Sequence, residues 1–332
     1  MSGASKPGNP RREAPAGSGL GGGGGLPADF LVGHWTDAEA ETGCTVVLPP
    51  RGTRCGVDVR GGGPGSRETE IVGPLSNPRE ATAVLLTGGS AYGLAAADGV
   101  ARWCERQGRG YRTPGGLVPL VPAAVIYDLM AGDGSVRPGP EQGMAACEAA
   151  VGGRPKTGRV GAAAGAAVGK VLGREMASPG GVGFASARTG GGHIVAAISA
   201  VNATGDVLAA DGSVLAGVRD PDGRTSSRIV ADGIVEPGGG RPGGGDDELQ
   251  ATTLVCLCTD AALDKVEASK LARMASAGIA RAVDPVFTPF DGDVVFALAS
   301  GEPAAGHDPA TLMQVGTLAA TVTAEAIRDA VS

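Results

Sequence analysis

Apolar residues occur along this chain mostly in short runs that end at glycine, proline or asparagine. Strand-length runs rich in β-branched residues are "GCTVVLPP", "RCGVDVRGG", "TAVLLTGGS", "PAAVIYDL", "HIVAAISAVNATGDVL", "TTLVCLCTD" and "DVVFALAS". The turn signal Pro50-Arg51-Gly52 separates the first two runs and predicts a hairpin between them. The fifth run bends at Asn202 to Gly205, which divides it into two strands.

A helical pattern appears in four longer stretches. They are residues 91–108, which follow a glycine turn, residues 140–151, the amphipathic stretch 263–283 with apolar positions at Leu271, Met274, Gly278 and Ala282, and residues 309–331. Strands and helices are mixed in order rather than strictly alternating. We therefore expect an α/β sandwich in which helices cover the sheets, and not a parallel doubly wound sheet.

Two stretches lack such patterns. Residues 1–29 are rich in glycine and have no apolar region of signal-peptide length, so we expect a disordered cytoplasmic leader before a single domain at 30–332. Residues 220–250 are polar and rich in glycine and proline, which predicts a flexible linker that ends just before the strand at Thr252. The most apolar stretch, 117–131, is interrupted by Pro119 and Pro122 and is too short to span a bilayer.

Composition and charge narrow the picture further. The 332 residues include 59 glycines and only 3% aromatic residues, so the core must consist of closely packed Ala, Val, Leu and Ile. A net charge of −7 without long Lys/Arg runs argues against nucleic acid or an anionic membrane as the main partner. The six cysteines lack a metal-ligand spacing, which predicts reduced, buried thiols, with Cys256 and Cys258 on one face of a strand.

Several short motifs have both a functional and a structural interpretation. "TGGSAYG", from Thr87, lacks the features of a nucleotide-binding loop; its glycines either expose backbone N–H groups to an oxyanion or simply form a tight strand-to-helix turn. Lys170 ends the small-residue run "GRVGAAAGAAVGK" and Asn202 lies in a turn, and by themselves both are ordinary. "FDGD", with Asp291 and Asp293, could be a turn, a partial calcium loop or an orienting pair.

Hydrolysis that depends on histidine or on a serine elbow is disfavoured by the sequence. His34, His193 and His307 have no zinc-like spacing, and Ser90 is not in a G-x-S-x-G elbow. A nucleophile that needs no histidine remains: a threonine at a new amino terminus, whose own α-amine has a reference pKa of about 7.7 to 8.0 and can serve as the base.

Long blocks between about Phe30 and the end of the chain resemble one family of self-processing hydrolases. These blocks include "FLVGHWTDAEAETGCTVVLPP", "LTGGSAYGLAAADGVARWCERQGRGY", "GRVGAAAGAAVGK", "AVNATGDV", "TTLVCLCTDAALDK" and "FDGDVVFALA". The family contains the L-aminopeptidase/D-esterases, the β-aminopeptidases and the nylon-oligomer endo-hydrolases. The resemblance implies a four-layer α/β/β/α fold and a precursor that cleaves itself into fragments 1–251 and 252–332, which stay associated.

The resemblance also implies roles for individual residues. Thr252 corresponds to the nucleophile, Lys170 to the lysine beside its hydroxyl, and Asn202 to the asparagine that contacts the reacting centre. Asp291 and Asp293 correspond to the pair that orients the threonine. Tyr92 corresponds to an active-site aromatic residue that helps to hold the oxyanion. The implied activity is that of an amide hydrolase or aminopeptidase that acts on a small peptide or amide through an acyl-enzyme.

One departure from the family pattern is Ala251, where the nylon-oligomer branch has asparagine and the aminopeptidase branch glycine. Alanine supplies no side-chain amide, so we expect slower self-cleavage and leave the branch open. Two alternatives also remain: an acyltransferase of the ornithine acetyltransferase type, and an uncleaved binding protein of the same fold. For either the hydrolase or these alternatives we expect no cofactor and no metal. The leader and the reduced cysteines predict a cytoplasmic protein. The resemblance implies a homo-oligomer, and we expect a tetramer.

Overall fold

Two five-stranded sheets form the centre of the protein. The computed structural model describes residues 24–78, 80–233, 250–303 and 308–332. The strands are β1 Leu31–Asp37, β2 Thr42–Leu48, β3 Arg54–Val59, β4 Ser66–Arg67, β5 Val84–Thr87, β6 Tyr111–Thr113, β7 Gly116–Val118, β8 Ala123–Val125, β9 Ala167–Val168, β10 Ser178–Pro179, β11 Gly181–Arg188, β12 Ile194–Asn202, β13 Asp206–Leu208, β14 Val214–Ala216, β15 Thr252–Thr259, β16 Val283–Asp284 and β17 Val294–Ala299. The first sheet has the order β1-β2-β5-β8-β4 and the second the order β11-β12-β15-β17-β3.

Helices cover the outer faces of both sheets. They are α1 Thr69–Val72, α2 Ala96–Arg106, α3 Pro140–Glu148, α4 Ser226–Ala231, α5 Lys265–Ala280 and α6 Pro309–Asp329, with short 3-10 helices at Ser90–Ala95, Gly161–Ala163, Lys170–Leu172 and Arg174–Met176. α2 and α3 pack on the first sheet, and α5 and α6 pack on the second. The predicted four-layer α/β/β/α arrangement is confirmed.

Three apolar clusters separate these layers. One lies between the first sheet and α2 and α3, a second between the two sheets, and a third between the second sheet and α5 and α6. Side chains of β15 alternate between the cluster that separates the sheets and the cluster under α5 and α6. Leu254 and Cys256 face the other sheet, whereas Val255 and Leu257 face the helices. By this period of two, Thr252 lies on the face directed between the sheets.

The helix that follows β15 begins and packs as its sequence predicts. Asp264 caps α5 by accepting the Glu267 amide at 2.8 Å, and Glu267 accepts the Asp264 amide at 2.9 Å in return. At Gly278 an added Cβ would lie 2.3 Å from the Ala320 carbonyl oxygen of α6. The absence of a side chain there lets α5 and α6 approach closely, as the small-residue composition suggested.

The predicted hairpin between the first two apolar runs is wrong. β2 and β3 are both strands, but β2 pairs with β1 and β5 in the first sheet, whereas β3 pairs with β17 in the second. Pro50-Arg51-Gly52 therefore carries the chain from one sheet to the other. β3 completes the edge of the second sheet beside β17, where Cys55 pairs with Leu298.

Both patternless stretches contain structure at their described ends. Leu26, within the predicted leader, is buried and donates its amide to the Gly153 carbonyl at 3.0 Å. In the predicted linker, Ser226 begins the short helix α4, and its hydroxyl and amide both bond to the buried Asp206 carboxylate. The leader residues 1–23 and the linker residues 234–249 lie outside the described part of the chain.

All six cysteines are free and buried, as predicted, and burial raises the pKa of the Cys44 thiol to about 12. Cys256 and Cys258 face the same inter-sheet core. In the described ranges, no helix combines the length and the apolar character that a transmembrane span requires.

Candidate active site

Thr252 is the first residue of β15 and is almost completely buried, with 4% of its surface exposed. It pairs with Asn202, the last residue of β12, at the end of the second sheet. Its hydroxyl donates to the carbonyl oxygen of Ala251, so the hydroxyl lies against the peptide bond that precedes it. This places a potential nucleophile next to the predicted cleavage bond at a buried position.

The backbone of the "FDGD" loop holds the Ala251 peptide from the other side. Ala251 donates its amide to the Phe290 carbonyl at 3.2 Å, and its own carbonyl accepts the Gly292 amide at 2.8 Å. Ala251 thereby forms a parallel bridge with Asp291 and is 3% exposed. The carbonyl that Thr252 would attack already accepts a backbone N–H, which is the arrangement that stabilises a developing oxyanion.

Lys170 reaches the same segment from a 3-10 helix. Its Nζ donates to the carbonyl of Asn202 at 2.8 Å and to that of Gln250 at 2.7 Å. Burial lowers the pKa of Lys170 from 10.5 to about 7, with a smaller lowering from Arg174 and opposing contributions from Asp291 and Asp293. Lys170 therefore loses its proton at a pH well below that of an ordinary lysine.

Asp291 braces the loop that carries Gly292. One carboxylate oxygen accepts the Thr204 hydroxyl at 3.0 Å, and the other accepts the Thr288 amide at 2.9 Å and the Thr288 hydroxyl at 2.6 Å. Asp291 is 2% exposed, and its side chain makes no hydrogen bond to Thr252. Asp291 thus fixes the backbone of the loop that carries Gly292.

Asp293 acts on the strand that contains the nucleophile. Its carboxylate accepts the amide of Thr253, the residue after Thr252, at 2.5 Å. Burial is the largest cause that raises the pKa of Asp293, and the neighbouring Asp291 raises it further. Asp291 therefore contacts the loop, and Asp293 contacts β15.

Asn202 is fully buried beside Thr252, but its side chain bonds to other groups. Its Oδ1 accepts the Ala167 amide at 3.1 Å, and its Nδ2 donates to the Tyr127 carbonyl at 3.1 Å. Tyr127 follows β8, is half-buried and is not among the residues that the sequence marks. Because its backbone carbonyl makes the contact, the identity of its side chain gives no signal for it.

The side chain of Tyr92 is exposed and contacts a surface arginine. It is 61% exposed, and the guanidinium of Arg137 stacks over its ring at 3.9 Å. Among the described residues, no hydrogen bond joins its side chain to Thr252, Lys170 or Asn202. The structure therefore brings together five of the six implied side chains and leaves Tyr92 on the surface.

A second glycine loop closes the space around the nucleophile. Gly63 donates its amide to the Asp291 carbonyl at 2.9 Å, and Arg60 donates its amide to the Asp293 carbonyl at 2.9 Å. At Gly292 an added Cβ would lie 2.8 Å from the Thr252 hydroxyl and 2.8 Å from the Gly63 carbonyl oxygen. Glycine is needed there because any side chain would press directly on the nucleophile.

The implied site residues do not line the surface cleft near the start of β3. Within the described ranges, no group of three or more His, Cys, Asp or Glu side chains could hold a metal ion. A cleft of about 460 Å³ is lined by residues that include Arg51, Arg109 and Tyr111, but by none of the implied site residues. It adjoins the start of β3, whereas the other end of β3 approaches Asp293.

Comparison with curated proteins relates this chain to amide hydrolases. It is 42% identical over 295 residues to an uncharacterized aminopeptidase of Mycobacterium leprae, covering 81% of this chain and 76% of that protein. It is 33% identical over 266 residues to a 6-aminohexanoate-oligomer endohydrolase of Agromyces sp., covering 80% and 71%. This range of relatives supports a hydrolase that acts on amide bonds.

Solved structures show the same fold. A β-aminopeptidase of Burkholderia sp. has a TM-score of 0.62 at 23% identity, with 92% of this chain and 84% of that chain covered. The L-aminopeptidase D-Ala-esterase/amidase of Ochrobactrum anthropi, described as a variant of the Ntn hydrolase fold, has a TM-score of 0.66 at 21% identity, covering 91% and 83%. Peptidase family S58 matches residues 28–332. This chain therefore belongs to peptidase family S58.

Proposed function

We propose that this protein is an amide hydrolase that activates itself by cleaving the Ala251–Thr252 bond and then uses Thr252 as an amino-terminal nucleophile. One observation carries the proposal: the Ala251 carbonyl accepts both the Thr252 hydroxyl and the Gly292 amide. A nucleophile and an oxyanion donor thus meet at one carbonyl. Family membership supports the same chemistry class.

In the self-cleavage step, Thr252 Oγ attacks the carbonyl carbon of Ala251 and gives up its proton. The carbon–nitrogen bond to Thr252 then breaks, the nitrogen takes a proton, and Ala251 is left as an ester on Oγ. Water hydrolyses this ester, which produces a carboxyl group on Ala251 and a free amine on Thr252. The Gly292 amide stabilises the oxyanion, a contribution worth roughly 3 to 4 kcal/mol for one donor.

In turnover, the freed amine of Thr252 takes the proton from its own hydroxyl as Oγ attacks a substrate amide. The leaving amine departs with that proton, and water hydrolyses the acyl-enzyme. Lys170 places positive charge near the Thr252 amine, which disfavours the ammonium form and keeps the base available. Asp293 fixes the direction of the strand through the Thr253 amide, and Asp291 fixes the loop that carries Gly292.

Asn202 is proposed as a further contact to the reacting centre, because it pairs with Thr252 across the sheet and its amide is held in place by Tyr127 and Ala167. Tyr92 has no contact that supports an oxyanion role. A homotetramer of the two associated fragments and a cytoplasmic location remain predictions.

The test is to trap the acyl-enzyme. Processed protein is mixed with an activated ester of a small amino acid, quenched in acid and digested, and the peptides are analysed by mass spectrometry. We expect the acyl group on Thr252 of the downstream fragment. An adduct on any other residue, or ester hydrolysis that persists in Thr252→Ala, would contradict the proposal.

A further inference from the structure

We infer that the segment Gln250–Ala251 occupies the subsite that later receives the acyl part of an external substrate, and that this subsite selects an internal, small α-amino acid residue. The inference rests on the proposed function and specifies its substrate class. In self-cleavage and in turnover, the acyl group becomes attached to the same atom, Thr252 Oγ. The residue before Thr252 therefore marks the position of the acyl group.

The backbone contacts of Ala251 restrict the number of backbone atoms that the acyl residue can have. Its amide bonds to the Phe290 carbonyl at 3.2 Å and its carbonyl to the Gly292 amide at 2.8 Å. Both partners lie on one short stretch of backbone, on either side of Asp291. An α-residue has a single carbon between its nitrogen and its carbonyl and can satisfy both groups, as in a parallel bridge. A β-residue or an ω-amino acyl chain inserts additional methylenes and cannot satisfy both in this register.

The side chain of the acyl residue is limited in size. Ala251 is 3% exposed, so its methyl group lies within packed protein. The loop beside it is also closely packed, since Gly292 has room for no side chain next to Thr252 and Gly63. Alanine and glycine fit this space, whereas leucine would require the loop to move.

Lys170 adds a preference for an acylated nitrogen over a free amino terminus. Its Nζ donates to the Gln250 carbonyl at 2.7 Å, and that carbonyl is attached directly to the Ala251 nitrogen. An internal peptide bond presents a carbonyl at this position, whereas a free amino terminus presents none. A free ammonium group there would also face the positive charge of Lys170. The subsite therefore favours cleavage within a chain, after a small residue.

The experiment compares p-nitroanilides on the processed wild-type enzyme by kcat/KM. N-acetyl-L-alanine satisfies all three contacts, L-alanine lacks the carbonyl for Lys170, and the propionyl derivative lacks the nitrogen as well. The 6-acetamidohexanoyl derivative has the wrong spacing, and N-acetyl-L-leucine has the wrong size. We expect N-acetyl-L-alanine to exceed L-alanine by about 10-fold or more, as for a hydrogen bond to a charged group, and to exceed the other three by at least as much.

Lys170→Met tests the origin of the preference. We expect it to reduce the ratio between N-acetyl-L-alanine and L-alanine to about 1, whatever its effect on the absolute rates. If this variant is too slow to measure, the wild-type series decides the question alone. A faster reaction with L-alanine or with the 6-acetamidohexanoyl derivative overturns the inference but leaves the proposed hydrolase in place. Failure to hydrolyse any member by enzyme that has cleaved itself at Thr252 overturns both.

Discussion

Two glycine turns of this protein are built alike but differ in what they contact. The turn Thr87–Ser90 follows β5, and its Gly89 amide donates to the buried Asp128 carboxylate at 2.6 Å, which also accepts the Thr42 hydroxyl at 2.7 Å. The loop 288–293 precedes β17 and is held by the buried Asp291 carboxylate, which accepts amide and hydroxyl donors of threonines in the same manner.

Only the second turn touches the peptide bond at which the chain is proposed to cleave. Gly292 and Phe290 bond to Ala251, whereas the residue that the first turn displays, Tyr92, is exposed under Arg137. A glycine turn braced by a buried aspartate is therefore not a catalytic feature by itself. It becomes one where its backbone N–H groups meet a reactive carbonyl.

The largest expected effect is that of removing the nucleophile. Thr252→Ala should abolish self-cleavage and amide hydrolysis, because no other hydroxyl contacts the Ala251 carbonyl in the described structure, and it should leave one folded, full-length chain. Thr252→Ser keeps the hydroxyl and should still process. Gel electrophoresis over several days of incubation measures both. Fragments from Thr252→Ala would show that another group cuts the chain.

Adding one methyl group to each turn tests whether only the second turn acts on the nucleophile. In Gly292→Ala the new Cβ would lie 2.8 Å from the Thr252 hydroxyl, so the hydroxyl must move, and we expect self-cleavage to slow by on the order of 10²-fold. The matched control is Gly89→Ala, which forces alanine into a φ of +79° and should cost about 1 to 2 kcal/mol of stability while cleavage continues.

The cleavage rates and urea midpoints of both variants separate chemistry from folding. Equal slowing of self-cleavage in Gly89→Ala and Gly292→Ala would remove the distinction between the two turns.

Lys170, near the second turn, and Asp128, at the first turn, should contribute to stability with opposite pH dependence. Lys170 has a folded-state pKa of about 7 against an ordinary value of 10.5, so between these values the unfolded chain binds more protons. The stability of uncleaved Thr252→Ala should therefore gain up to about 1.4 kcal/mol per pH unit from Lys170 as pH rises through this window. Burial raises the pKa of Asp128 above 3.8, so its contribution falls as pH rises through the acidic range.

Urea unfolding as a function of pH measures these slopes. Adding Lys170→Met to Thr252→Ala should remove the alkaline gain, and adding Asp128→Asn instead should leave it unchanged. A persistent alkaline gain in the Lys170→Met variant would assign the titration to another group.

The smallest expected effect is at the tyrosine of the first turn. Tyr92→Phe removes a hydroxyl from an exposed ring, and we expect kcat/KM to change by less than about 2-fold, since surface substitutions rarely perturb the molecule. A loss of 10-fold or more in Tyr92→Phe would restore the role that the sequence resemblance suggested.

The sequence predicted individual strands and helices well where the spacing of apolar side chains identifies them. The helical pattern at 263–283 identified α5, and Cys256 and Cys258 share one face of β15 as predicted. Strand partners could not be predicted in the same way, because a β-branched run identifies a strand but not its neighbour. β3 thus pairs with residues near position 298 instead of with β2.

The contributions of the backbone to the site were missed for a related reason. The Gly292 amide and the Phe290 carbonyl act without any side chain, so only the glycine between two aspartates hinted at them. The Tyr127 carbonyl, which holds Asn202, left no signal of its own.

The central claim is that Thr252 becomes an amino terminus, and amino-terminal sequencing of the purified wild-type protein tests it most directly. The account predicts a downstream fragment that begins Thr-Thr-Leu-Val, paired with an upstream fragment that ends at Ala251. The two should elute together, because β15 and β17 pair with strands of the upstream part on both sides. A single chain after prolonged incubation, or a new terminus at any other residue, would contradict the account.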